Sequence, residues 1–172
     1  KASRRNVVGN FTENQNLNNM DRITKSYLNE FRAKFDFSKE IAQDVLFEHF
    51  VNYTLLDKKV DESFDEETIE KLNIGKNGTI GIDGFTILIN GHLIFNKEDI
   101  DLILDNNKKS NAEVYFIQSK TSTNFDNKEI ASFGNAIIDF ISEEQNYKWN
   151  DNANEKIDLF NHLISRVTDL EE

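Results

Sequence analysis

Residues 79–95 read TIGIDGFTILINGHLIF, and the fold turns on this stretch. From Ile80 to Ile89 the apolar side chains fall on both faces of an extended chain, which predicts a central strand buried on each side. Asn90-Gly91 is a hairpin signal, because both residues tolerate the positive φ of a type I′ turn. His92 to Phe95 then returns as a second strand. Further on, AEVYFIQSKTS at 112–122 predicts a third strand over Ala112 to Thr121. Between them Lys97 to Asn106 has helical spacing, with Ile100, Ile103 and Leu104 facing inward. A hairpin joined to a helical crossover predicts the α/β class: a mixed β-sheet flanked by helices.

The flanks add helices. Residues 1–15 are polar and read as a loose arm. Leu17, Met20, Ile23, Tyr27, Leu28, Phe31 and Phe35 recur at three- and four-residue spacing, predicting an amphipathic helix over 16–35. Residues 1–38 thus form an N-terminal helical extension, and 39–172 the sheet-containing domain. Ser38 is an expected N-cap for a helix over 39–58. That helix is apolar nearly all round, yet it carries Glu48, with Asn52 one turn later. The acidic run from Asp57 to Glu70 is a solvated segment with a short helix over Glu66 to Leu72. Asp126 starts another helix, Glu129 standing in the capping-box position and Gly134 implying close packing. A last helix is expected over 155–169, with Ile157, Phe160, Leu163, Ile164 and Val167 inward. The chain opens at Lys1 rather than Met and reads as a piece of a longer protein; a further strand completing the sheet would lie beyond Glu172.

Composition sets limits. The 172 residues suit one domain, and the absence of cysteine removes disulfide frameworks and thiolate metal sites. Neither a membrane-length apolar run nor a signal peptide is visible, so the expected location is the cytoplasm. A net charge of −11 argues against a generic nucleic-acid surface, since non-specific binding is mostly phosphate neutralisation by Lys and Arg. The three histidines lack ligand spacing, and GKNGT at 75–79 lacks the phosphate-loop pattern.

The candidate chemistry comes from polar groups that interrupt apolar elements. Asp83 can supply a carboxylate oxygen to a hard divalent cation, and Gln118 a neutral oxygen. If the third strand continues to Thr121, Lys120 shares a face with Gln118 and can orient an attacking water, while Ser119 points away. Glu48 can complete the site from the buried helix. Each residue also has a plain structural role: Asp83 in a turn, Gln118 and Lys120 at a solvated strand end, and Glu48 reaching solvent or a lysine.

GIDG at 81–84 and FIQSK at 116–120 resemble the restriction-endonuclease-like PD-(D/E)XK superfamily, in the Mrr-like variant where Gln replaces the second acidic residue. FEHFV at 47–51, GIDGFTILINGHLI at 81–94 and AEVYFIQSKTSTNFDNKEIASF at 112–133 resemble the amino-terminal part of AIPR proteins, associated with abortive phage infection. The resemblance covers roughly residues 40–145 and implies a restriction-endonuclease-like sheet. It also implies a nuclease site in which Glu48, Asp83 and Gln118 hold Mg²⁺ or Mn²⁺ and Lys120 is the catalytic lysine. The long separation of Asp83 from Gln118, with residues 97–111 inserted, departs from that pattern.

The sequence therefore predicts a metal-dependent nuclease domain of a phage-defence protein, acting on DNA, with RNA as the alternative substrate. Two other readings stand beside it. One is an inactive nuclease-fold module that binds a protein partner or forms a homodimer along Tyr27, Phe31 and Phe35. The other is a structural domain serving the missing C-terminal region.

Overall fold

The computed structural model describes residues 20–75, 81–107, 109–121 and 126–170. Its elements are α1 (Arg22–Lys34), α2 (Gln43–Leu56), α3 (Glu66–Leu72), β1 (Gly84–Ile89), β2 (His92–Ile94), α4 (Lys97–Asn106), β3 (Ala112–Ile117), α5 (Asn127–Phe140) and α6 (Asp151–Ser165). A short 3-10 turn, Val167–Asp169, follows. The α/β class holds: one three-stranded sheet is flanked by helices, in the order β2-β1-β3. Both pairings are antiparallel, in registers that set Ile87 against Ile94 and Thr86 against Tyr115. β2 and β3 therefore run parallel on either side of β1, and α4 is the crossover between them.

β1 is buried along its whole length, as its two-faced apolar pattern requires. Phe85, Ile87 and Ile89 face a layer built from α4, α5 and α6, in a core with Phe140, Trp149 and Ile157. The opposite face sets Leu88, Leu93 and Ile117 against Leu56 of α2 and Leu72 of α3. Beyond α2 lies α1, joined through an aromatic cluster of Phe31, Phe35, Phe37, Phe50 and Tyr53. Asn90 (φ 54°) and Gly91 (φ 84°) form the left-handed pair of the hairpin turn. The Asn90 side chain then accepts from the Asn111 backbone N–H at 2.8 Å, tying the start of β3 to that turn.

Several expected boundaries move, for local reasons. α1 starts at Arg22 because Asp21 caps the N–H groups of Ile23 and Thr24. Ile23 and Tyr27 stay exposed, whereas Phe31 and Phe35 are buried in the chain's own core. α2 starts at Gln43, not after Ser38, whose hydroxyl accepts from the Glu40 N–H. β3 ends at Ile117, four residues before the predicted end at Thr121. Asp126 caps α5 by accepting from Lys128 N–H, but Glu129 forms no capping box: its carboxylate goes to Lys120. A Cβ on Gly134 would meet nothing within 4 Å, so that glycine does not mark close packing. α6 starts at Asp151 because Asn150 caps Ala153 N–H, and its Ile164 and the later Val167 are exposed. Residues 16–19, Ile80 and 122–125, part of the sequence expectations, lie outside the described residues.

Candidate functional site

The site is assembled where α2, the segment before β1 and the segment after β3 meet. Asp83 is the residue before β1. Its backbone N–H donates to Ile117 O at 2.9 Å, and its carbonyl accepts from Ile74 N at 2.9 Å and Gly75 N at 3.2 Å. The backbone thus fixes it between residues 74–75 and the end of β3. Its carboxylate Oδ2 accepts from Ser119 N–H at 2.6 Å and Ser119 hydroxyl at 3.1 Å.

Glu48 reaches the same place from α2. Its Oε2 accepts from Asn73 Nδ2 at 2.7 Å, and Asn73 Oδ1 accepts from Gly75 N–H at 2.9 Å. A methyl group placed on Gly75 would lie 3.4 Å from Glu48 Oε2 and 3.5 Å from Asp83 Cα. Glu48 and Asp83, distant in sequence, therefore converge around the Gly75 backbone. Burial pushes the Glu48 carboxyl above the usual carboxylate range; the Asn73 donor opposes this, and the charges of Asp83 and Asp44 add to the rise. A proton or a cation placed there would relieve the half-buried charge.

The supporting shell is rich in asparagine. Asn73 is 1% exposed, and its carbonyl accepts from Asn152 Nδ2 at 3.0 Å. Asn150 Nδ2 donates to Ile74 O at 3.3 Å. The N-terminus of α6 thereby clamps the segment that carries Asn73. Asn52, one turn after Glu48, is fully buried, and its side-chain amide has no hydrogen-bond partner among the described residues. It lies against Gly84, where an added Cβ would fall 2.4 Å from Asn52 Oδ1.

Of the four expected site residues, Glu48 and Asp83 are brought together. Gln118 sits half-buried between Ile117 and Ser119. Lys120 is partnered elsewhere: its Nζ donates to Glu129 Oε1 of α5 at 3.0 Å. The expected strand-end geometry is corrected at this point. Because β3 stops at Ile117, alternation does not govern residues 118–120, and Ser119 turns toward Asp83 rather than away. Sequence reasoning gave Glu129 a capping role alone and missed Asn73, Asn150 and Asn152, since Asn is so frequent in this chain that no single one stands out.

Among the described residues no group of three or more His, Asp or Glu side chains gathers with metal-holding geometry. The test for a divalent cation thus falls on the Glu48–Asp83 pair. Glu48 Oε1 and Asp83 Oδ1 accept no hydrogen bond among the described residues, while each partner oxygen is already held. Mg²⁺ takes one or two carboxylates with neutral oxygens and several waters, and the Glu48–Asp83 pair supplies the carboxylates of such a set. Comparison with protein-family models, with curated proteins and with solved structures finds no match. Among the described residues no helix is long and apolar enough to cross a membrane.

Proposed function

We propose that this chain is the nuclease domain of a cytoplasmic phage-defence protein of the AIPR kind, hydrolysing phosphodiester bonds of DNA with Mg²⁺ or Mn²⁺. The observation that carries the reading is the convergence of Glu48 and Asp83, with Ser119 linking Asp83 to the segment that bears Gln118 and Lys120. Glu48 and Asp83 would hold the cation, and Gln118 would add a neutral oxygen. The cation, when bound, would activate water and offset charge building on the phosphate. Ser119 fixes the Asp83 carboxylate, leaving its second oxygen available. The Lys120–Glu129 pair is partly exposed, with side-chain exposures of 30% and 37%. Such a pair contributes little and exchanges readily, so a substrate phosphate can take the ammonium from Glu129.

The test is nicking of supercoiled plasmid with Mg²⁺ or Mn²⁺ by the wild type, Asp83→Asn and Lys120→Ala, with single-stranded RNA run in parallel. Metal-dependent cleavage by the wild type, lost in both variants, is the expected result. Equal cleavage by all three would refute the site. A specific observation also favours a second reading, an inactive nuclease-fold module that binds a protein partner: the Lys120 ammonium is bound to Glu129, in a chain of net charge −11. Wild-type protein that cleaves neither nucleic acid would select it.

A further inference from the structure

Lys156, on α6, is the one lysine buried among the described residues, at 8% exposure. It makes neither a salt bridge nor a hydrogen bond among the described residues, in a chain with 31 Asp and Glu. A buried ammonium is costly unless it is paired. Its Nζ stands 5.5 Å from the centroid of the Phe95 ring, and Lys71 Nζ of α3 stands 5.5 Å from the same centroid. One ring offsets only part of one charge, and here two like charges share it. Burial pushes the Lys156 ammonium below the ordinary lysine range; Glu155 opposes this, and the charge of Lys71 adds to the fall. Glu98, Glu155 and Asp158 stand around Phe95, but all three are exposed and none comes within ion-pair distance of Lys156. Lys71 pairs with Glu67 at 2.7 Å, with side-chain exposures of 50% and 76%, so that pair is weak and exchanges readily.

We propose that Lys71 and Lys156 form a binding site for a phosphate group, held by the two ammoniums beside Phe95. A phosphate supplies what the chain withholds: an acceptor for Lys156 and a negative charge that offsets the repulsion between the two lysines. Its oxygens are arranged tetrahedrally and can meet donors from two directions, whereas a carboxylate presents two oxygens in one plane. The placement ties this site to the carboxylate pair. Lys71 stands two residues before Asn73, whose amide donates to Glu48 Oε2 at 2.7 Å. Lys156 follows Asn152 by one helical turn, about 5.4 Å, and Asn152 Nδ2 donates to Asn73 O at 3.0 Å. Both lysines therefore sit on the two segments that brace Glu48. On the nuclease reading, on which this choice of ligand rests, the phosphate belongs to a nucleic-acid strand and is one other than the phosphate cleaved. The site as a phosphate site does not depend on that reading.

The test is an NMR titration of the whole ¹⁵N-labelled chain with inorganic phosphate, against chloride at equal ionic strength, up to on the order of 50 mM. Saturable shifts are expected at the amides of Lys71, Phe95 and Lys156. Lys156→Met should weaken binding at least about tenfold and Lys71→Ala about three- to tenfold, since each removes a charge-assisted contact. Lys39→Ala, exposed and remote in sequence, should leave it unchanged. Lys71 is exposed, so its variant keeps the test decisive if circular dichroism shows that Lys156→Met does not fold. A second arm measures binding of an oligothymidylate in EDTA as salt is raised. Loss of one phosphate contact in the double variant should make the slope of log affinity against log salt shallower by about 0.7. Absence of saturable shifts, or equal affinity in wild type and both lysine variants, overturns the proposal. Phosphate binding that needs both lysines, with an unchanged oligonucleotide slope, overturns the strand as ligand and assigns the site to a free phosphate compound. Asp83→Asn should still bind phosphate. Intact phosphate binding in a wild type that nicks no plasmid supports this site while counting against the nuclease reading.

Discussion

Replacing Asp139 by Ala offers a test of how a distant carboxylate supports the candidate site. Asp139 is 5% exposed near the end of α5, and its two oxygens take three donors. Asn146 N–H lies at 2.7 Å, Tyr147 N–H at 3.2 Å and the Trp149 indole N–H at 2.9 Å. Trp149 is 6% exposed, so its N–H would be left buried without an acceptor, at about 1–3 kcal/mol. The two backbone donors lie nearer the surface and recover partly through water, each losing about 0.5–1.5 kcal/mol. The expected cost at neutral pH is about 4 kcal/mol, a large share of a typical domain stability of about 5–15 kcal/mol. Burial alone would raise the Asp139 carboxyl, but the donors outweigh it and hold it below the usual carboxylate range. The sign of the pH dependence follows. A lowered folded value means the ionised form stabilises the fold above the unfolded value of about 3.9, and this is lost as pH falls through the folded value. Urea denaturation, followed by fluorescence of the single tryptophan, reads this directly. The gap between wild type and Asp139→Ala should be widest at pH 7 and shrink steadily below about pH 4. A gap under about 1 kcal/mol at pH 7, or one that widens in acid, would refute the reasoning. The consequence reaches the site because the loop held by Asp139 leads into Asn150 and Asn152, which clamp Ile74 and Asn73.

Two further predictions concern the site itself. Glu48→Gln keeps an acceptor for Asn73 but removes a half-buried charge beside Asp83. The raised folded value of Glu48 makes its contribution favourable below the unfolded value and progressively lost as pH rises through the folded one, so the variant should gain stability relative to wild type as pH rises above about 4. Denaturation midpoints across that range check this, and a variant that loses ground as pH rises would contradict it. Gly84→Ala would force a methyl within 2.4 Å of the fully buried Asn52 amide. A cost of about 1–3 kcal/mol is expected, read from the midpoint of thermal or urea unfolding, and a neutral effect would mean that Asn52 is free to move.

The hairpin was legible because its signal is local. Asn90-Gly91 demands positive φ at both positions, and the apolar run before it can be satisfied only by burial on two faces. α4 was legible for the same reason, its three inward residues lying one turn apart between a polar start and end. Periodicity did less well where one helix has two apolar stripes. Ile23 and Tyr27 on α1, Ile130 and Ile141 at α5, and Ile164 on α6 all carry helical spacing, yet each stays exposed. Spacing places residues on a face; which face meets the sheet depends on the partner. α2 shows the converse, because its buried side includes His49 and Asn52 although apolar residues were available elsewhere on the helix.

By itself the sequence determined the α/β class, the hairpin and the crossover helix, because strand and helix patterns and turn chemistry act over a few residues; it named Glu48 and Asp83 as candidate site carboxylates. Only the tertiary structure decided that β3 would stop at Ile117, that Ser119 would turn to Asp83, and that Lys120 would bind Glu129. Those outcomes depend on which backbone groups lie across from one another. Asp83 offers a carboxylate to whichever N–H the end of β3 presents, and that geometry is fixed by the packing of residues 36 positions apart in the chain.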